Sequence, residues 1–254
     1  MNNSILINKK KDISILTLNR PDKLNSLNLE ILESLEKIIK TIATDGKSKI
    51  IIITGSGNKS FSTGADLNYL KSLKNKKDAE AFVKRVHRIF NSIENMEQIV
   101  IAAINGYCLG GGCELAMACD IRIATPNAIF GQPEVKLGII PGGGGTYRLQ
   151  KIIGIAKAKE LIFLGNYVDA NNALKIGLIN KIVSSDKLIY EAELFAKQIK
   201  INSYNAVKNA KHAINANSKY NEDIEKSDFV SSFNHPDRKE GIDAFIEKRK
   251  PNFK

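Results

Sequence analysis

Apolar positions fall into two rhythms that alternate through the first half of this chain. Ile13-Ser14-Ile15-Leu16-Thr17-Leu18 reads as a strand, bounded by Asn19-Arg20-Pro21. Ile31, Leu32, Leu35, Ile38, Ile39 and Ile42 then recur at three- and four-residue intervals, which predicts a helix. Ile50 to Ile53 is a short β-branched run ended by Gly55, as expected of a strand covered on both faces. A second helix is predicted where Phe82, Val86, Ile89, Phe90 and Ile93 share one side. Ile99 to Ile104 reads as another buried strand. Ile121 to Ala124 reads as one more, after a short helix over Glu114 to Cys119. This alternation calls for right-handed crossovers and a largely parallel sheet, and so for an α/β fold.

From about Gly145 the pattern turns helical, and only Ile179 to Val183 reads as a further strand. Leu188, Ala192, Phe195, Ala196 and Ile199 mark one amphipathic stretch. Val207, Ala210 and Ile214 mark another, and Ile242, Phe245 and Ile246 a last one. These faces have few partners inside an α/β core, so packing against another subunit is their expected outlet. The division expected is a catalytic core over 1–195 and a helical region over 196–254.

At 254 residues the chain is long enough to bury a full core. It has no run of about 18 apolar residues, so no membrane span is expected. Met1-Asn2-Asn3-Ser4-Ile5-Leu6 lacks the basic-then-apolar order of a secretory signal, and a cytoplasmic chain is expected. The net charge of +11 raises nucleic acid as a partner. Yet the lysines are spread along the whole chain, without zinc-finger spacing or an aromatic–basic signature. A solvated lysine-rich surface accounts for them, with a polyanionic small ligand as the other outlet. Cys108, Cys113 and Cys119 are odd in number and far from His87, His212 and His235. They suit neither a zinc site nor an activated nucleophile, and buried thiols are expected. No metal is expected.

Gly46-Lys47-Ser48 imitates the end of a P-loop but precedes a strand instead of following one. Gly142 to Gly145 lacks the spacing of a dinucleotide fingerprint. Three other segments carry more. Phe61-Ser62-Thr63-Gly64-Ala65-Asp66-Leu67 follows a buried strand and its turn. Asn105-Gly106-Tyr107-Cys108-Leu109-Gly110-Gly111-Gly112-Cys113-Glu114-Leu115 also follows one and leads into a helix. Both loops therefore occupy the edge where parallel sheets bind ligands. Unpartnered N–H groups at a helix start can hold negative charge that develops on an oxygen. The third segment runs from Ile129-Phe130-Gly131-Gln132-Pro133-Glu134 to the glycines at 142–145. Glu114 and Glu134 are each unremarkable singly, and spacing does not show that they meet.

Read together, these segments resemble the enoyl-CoA hydratase/isomerase (crotonase) superfamily, most closely its short-chain hydratases. The resemblance begins at Leu18-Asn19-Arg20-Pro21-Asp22-Lys23-Leu24-Asn25-Ser26-Leu27 and closes at Arg238-Lys239-Glu240-Gly241 through Glu247-Lys248-Arg249-Lys250-Pro251. It implies a core that is a spiral of ββα turns, followed by helices that build a homotrimer or homohexamer. It also implies an acyl-CoA substrate and no separate cofactor, since coenzyme A is part of the substrate. By the same likeness the N–H groups of Ala65 and Gly111 form an oxyanion hole. Glu114 and Glu134 are the acid/base pair, and the Gly142 N–H helps to hold the water. Gly110 and Pro133 lie beside them. Lys23, Leu24, Asp66 and Leu67 line the coenzyme A path, which Phe245 and Lys248 close. Asn68 stands where relatives often place a lysine, so one phosphate contact is either missing or supplied by Lys71. The activity implied is reversible syn hydration of a short 2-trans-enoyl-CoA. The alternatives are a double-bond isomerase of the same fold, an RNA-binding protein and a non-catalytic scaffold.

Overall fold

Each long apolar run of the first half is a strand buried on both faces. The computed structural model describes residues 4–216 together with 236, 237, 240, 244, 247–250 and 252. In chain order the strands are β1 (Ile5–Lys10), β2 (Ile13–Leu18), β3 (Ile50–Gly55), β4 (Ser60–Ser62), β5 (Ile99–Ile104), β6 (Tyr107–Leu109), β7 (Ile121–Ala124), β8 (Ile129–Gly131), β9 (Tyr167–Asp169) and β10 (Lys181–Ile182). The helices are α1 (Leu29–Asp45), α2 (Leu67–Ser72), α3 (Lys76–Asn95), α4 (Gly111–Ala118), α5 (Gly145–Ile153), α6 (Ile155–Leu164), α7 (Ala170–Lys175), α8 (Leu188–Lys200) and α9 (Tyr204–Asn215).

Two sheets share these strands. The larger has the order β1-β2-β3-β5-β7-β10 and the smaller β4-β6-β8-β9. Pairing is parallel except at one edge of each, β1 on β2 and β9 on β8. The chain alternates between the sheets, β3 then β4, β5 then β6, β7 then β8, with helices returning it each time. This is the ββα spiral implied by the resemblance, and it corrects the single flat sheet that periodicity alone suggests. A strand's side chains alternate between faces. Ile51, Ile53, Val100 and Ala102 therefore join the core beneath α1, α3 and α4. Ile50, Ile52, Ile99 and Ile101 face the other way, onto Leu188, Ala192 and Ala196 of α8.

Caps fix the helices that carry the site. Asn28 accepts from the Ile31 N–H at the start of α1, and Gly46 ends that helix in the left-handed region. Asp66 caps α2 and Asn75 caps α3. The helix expected from Glu114 begins earlier, at Gly111, because Gly110 has a φ of 50° and turns the chain sharply out of β6. The predicted strand at Ile179 to Val183 is reduced to Lys181–Ile182. The last predicted helix, with Ile242, Phe245 and Ile246, lies outside the described residues.

Candidate active site

Convergence of the two glutamates follows from strand pairing. β6 and β8 run in parallel register, Tyr107 opposite Ile129 and Leu109 opposite Gly131. The chain leaves both strands at the same edge, and the Gly110 N–H donates to the Gly131 carbonyl at 2.9 Å. Beyond that bond one chain becomes α4 and carries Glu114. The other becomes a 3₁₀ turn, Glu134–Leu137, and carries Glu134 at its start. Both carboxyls border one largely apolar cavity of about 860 Å³, together with Gly110, Gly111, Ala65 and Gly142.

Environment separates the two acids. Glu114 is 3% exposed, and its Oε1 accepts from the Gly143 and Gly145 N–H groups, both at 2.7 Å. Burial raises its pKa, while those two bonds and the Arg148 charge oppose the rise. Glu134 has only its own backbone N–H to oppose the rise, and its buried Oε2 lacks a partner among the described residues. Burial, then the nearby Glu114 charge, push its pKa up to about 7. Both pKa values are raised, but Glu114 keeps two backbone donors that favour its anion, while Glu134 is held close to its protonated form.

Ala65 and Gly111 supply two free donors. Ala65 bridges Leu27 in parallel, using the Gly64 carbonyl and the Asp66 N–H, so the Ala65 N–H points to the opposite side. Gly111 opens α4, where a helix has no internal acceptor for it. Neither N–H has a partner among the described residues. The two are brought close by Gly64. Its φ is 89°, and a methyl there would meet the Gly111 nitrogen at 2.8 Å. Both residues border the cavity that holds the glutamates.

The remaining expected contacts divide. Lys23, Asp66, Leu67 and Pro133 border an outer cavity of about 420 Å³, which shares Ala65 and Pro133 with the inner one. Leu24 borders neither cavity; its backbone is left-handed and its carbonyl accepts from Thr63. Asp66 has a second role, because its carboxylate pairs with Arg20 at 2.9 Å and caps α2. Phe245 lies outside the described residues. Lys248 is exposed and borders neither cavity, and Lys71 likewise stands apart from both. The three cysteines are buried and free, and burial pushes the Cys108 thiol up and the Cys119 thiol up to about 12. No three His, Cys, Asp or Glu side chains of the described residues are grouped to hold a metal.

A model of the family described as enoyl-CoA hydratase/isomerase matches residues 8–254. The chain is 43% identical over 252 residues to the short-chain-enoyl-CoA hydratase of Clostridium acetobutylicum, covering 98% of this chain and 96% of that one. It is 42% identical to the crotonyl-CoA hydratase of Syntrophomonas wolfei, covering 98% and 97%. The chain belongs to the enoyl-CoA hydratase/isomerase family. The crystal structure of an enoyl-CoA hydratase from Bacillus anthracis superposes with a TM-score of 0.93 at 38% identity, over 99% of both chains. Expectations drawn from the sequence resemblance about family and fold are therefore met.

One functional residue of this family member was missed from sequence. Arg148, 2% exposed, donates to the Gly143 carbonyl at 2.8 Å and to Asn91 at 2.7 Å. It also pairs with Glu94 at 2.6 Å. It ties the end of α3 to the glycine loop, and that loop supplies both bonds to Glu114. Its signal was available: it is the lone cation next to Leu149 on the inward face of a helix that starts at the last of four glycines.

Proposed function

We propose that this protein adds water reversibly to the double bond of a short 2-trans-enoyl-CoA, giving the 3-hydroxyacyl-CoA. The observation that supports it is a pair of buried carboxyls, one held by two backbone N–H groups and the other with an unpartnered oxygen among the described residues, in one cavity with two unpartnered N–H groups. The Ala65 and Gly111 donors take the thioester oxygen. Glu114, as carboxylate, removes a proton from water as its oxygen bonds to Cβ, and the π electrons move onto the thioester oxygen as an enolate. Glu134, protonated, delivers its proton to Cα on the same face, and the C=O re-forms. Two fixed donors at such an oxygen are each worth about 3–4 kcal/mol of barrier. The Gly142 N–H helps to hold the water, a role supported by Gly142 bordering the cavity. Coenzyme A enters as part of the substrate, so the reaction as written uses no separate cofactor.

The same reading extends to a cytoplasmic homotrimer or homohexamer. Exposed apolar side chains such as Phe163 (70%), Ile155 (58%) and Leu164 (55%) on α6 support a subunit contact. No helix among the described residues is long and apolar enough to cross a membrane.

The test is loss of the conjugated enoyl absorbance of crotonyl-CoA. Turnover of a 3-enoyl-CoA without hydration of crotonyl-CoA would instead make this an isomerase. The pH profile adds a sharper check. Forward reaction needs one proton on the pair, held by Glu134; the reverse needs one proton too, held by Glu114. Hydration releases no proton, so kcat/KM must show the same pH limbs in both directions. With Glu134 at about 7, both should fall about tenfold per unit well above that pH. Profiles that stay flat to pH 9 would exclude a pair that works with one proton held by Glu134.

A further inference from the structure

The outer cavity carries more positive charge than its neighbours neutralise. Lys23 and Lys136 both border it, and neither has an ion-pair partner among the described residues. Its one bordering carboxylate, Asp66, is already paired with Arg20 at 2.9 Å. Asn68, on the same wall, is neutral. Lys136 is also held in place. Its stem lies on Gly165, where a methyl would meet the Lys136 carbons at 3.0–3.3 Å, and Gly165 has a φ of 58°. Its ammonium stands 5.4 Å from the centre of the Tyr167 ring, which borders the same cavity. The turn Glu134–Leu137 therefore presents an acid to the inner cavity and, two residues later, a fixed cation to the outer one.

We propose that Lys136, poised over Tyr167 at the cavity mouth, binds the phosphates of the coenzyme A portion of the substrate, with Lys23 as its companion. This rests on the reading of the ligand as a coenzyme A thioester and assigns which residues hold its charged end. An ammonium without a carboxylate partner gains most from a polyanion, because no existing ion pair has to be broken. Its separation from the reacting carbons makes it a determinant of binding, not of the chemical step.

The experiment compares crotonyl-CoA with crotonyl-pantetheine, which keeps the reacting thioester but lacks the nucleotide phosphates. K136Q is expected to raise KM for crotonyl-CoA about threefold to fivefold with little change in kcat, as for an ion pair made by an exposed lysine. KM for crotonyl-pantetheine should stay where it is, and K136R should restore the crotonyl-CoA value. The rise of the wild-type KM with salt should flatten in K136Q. Equal KM changes for both thioesters would overturn the assignment, since they would show that the substitution disturbs the Glu134 turn itself. No change for either thioester would overturn it as well. Failure of the wild-type protein to hydrate either thioester would instead remove the parent reading, and this assignment with it.

Discussion

Glutamine in place of Glu114 or of Glu134 is expected to lower crotonyl-CoA hydration by about 10²–10⁴, the usual worth of a positioned proton transfer. E114Q keeps an acceptor oxygen for the Gly143 and Gly145 N–H groups but leaves the water without a base. E134Q leaves Cα without a donor. Because both residues act in one step, the double variant should be only slightly slower than either single one. The fold should not suffer. A carboxyl whose folded pKa is raised from 4.5 to about 7 favours folding less as pH rises through that interval. E134Q removes this penalty and should melt above the wild-type protein at pH 8, while the two should converge near pH 4. Near-wild-type hydration by either single variant would refute the paired-carboxyl mechanism.

Legibility of the fold followed burial. β3 and β5 were readable because both faces are covered, by the helical core on one side and α8 on the other, so Ile50 to Ile53 and Ile99 to Ile104 are apolar throughout. The strands β4, β6, β8 and β9 were not, since three residues show no period and their pairing is set by the chain around them. β1 escaped for another reason. As an edge strand it buries only Ile5 and exposes Leu6 and Ile7, which breaks any alternation. The same limit hid the site's geometry. Each glutamate was visible as a residue in a glycine-flanked loop, but their meeting depends on the register of β6 against β8. The family likeness supplied that meeting before the pairing was known. Arg148 and the Arg20–Asp66 pair stayed hidden because charged residues are read as solvated by default, whereas Arg148 is buried and the pair half-buried, each with partners distant in the chain.

Alanine at two adjacent glycines should have opposite consequences, and the difference tests the oxyanion hole. At Gly112 a methyl would stand 2.2 Å from the Ser62 carbonyl oxygen and 2.8 Å from its carbon. Backbone cannot yield as a flexible side chain can, so G112A must force α4 away from β4. A loss of about 3 kcal/mol or more is expected, at or beyond the upper end for an overpacked core, read as a lowered melting temperature. At Gly111 the nearest atoms to a new methyl are the Ala65 nitrogen and Gly64 Cα, both at 3.5 Å, and Leu27 Cδ1 at 3.7 Å. These are ordinary contacts, so G111A should fold and melt like the wild-type protein. Yet its methyl crowds the place where an oxygen must sit to accept from both N–H groups. Hydration should fall about 10²–10³, as when one oxyanion donor is lost. A well-folded G111A that still hydrates crotonyl-CoA at close to the wild-type rate would show that the thioester oxygen lies elsewhere.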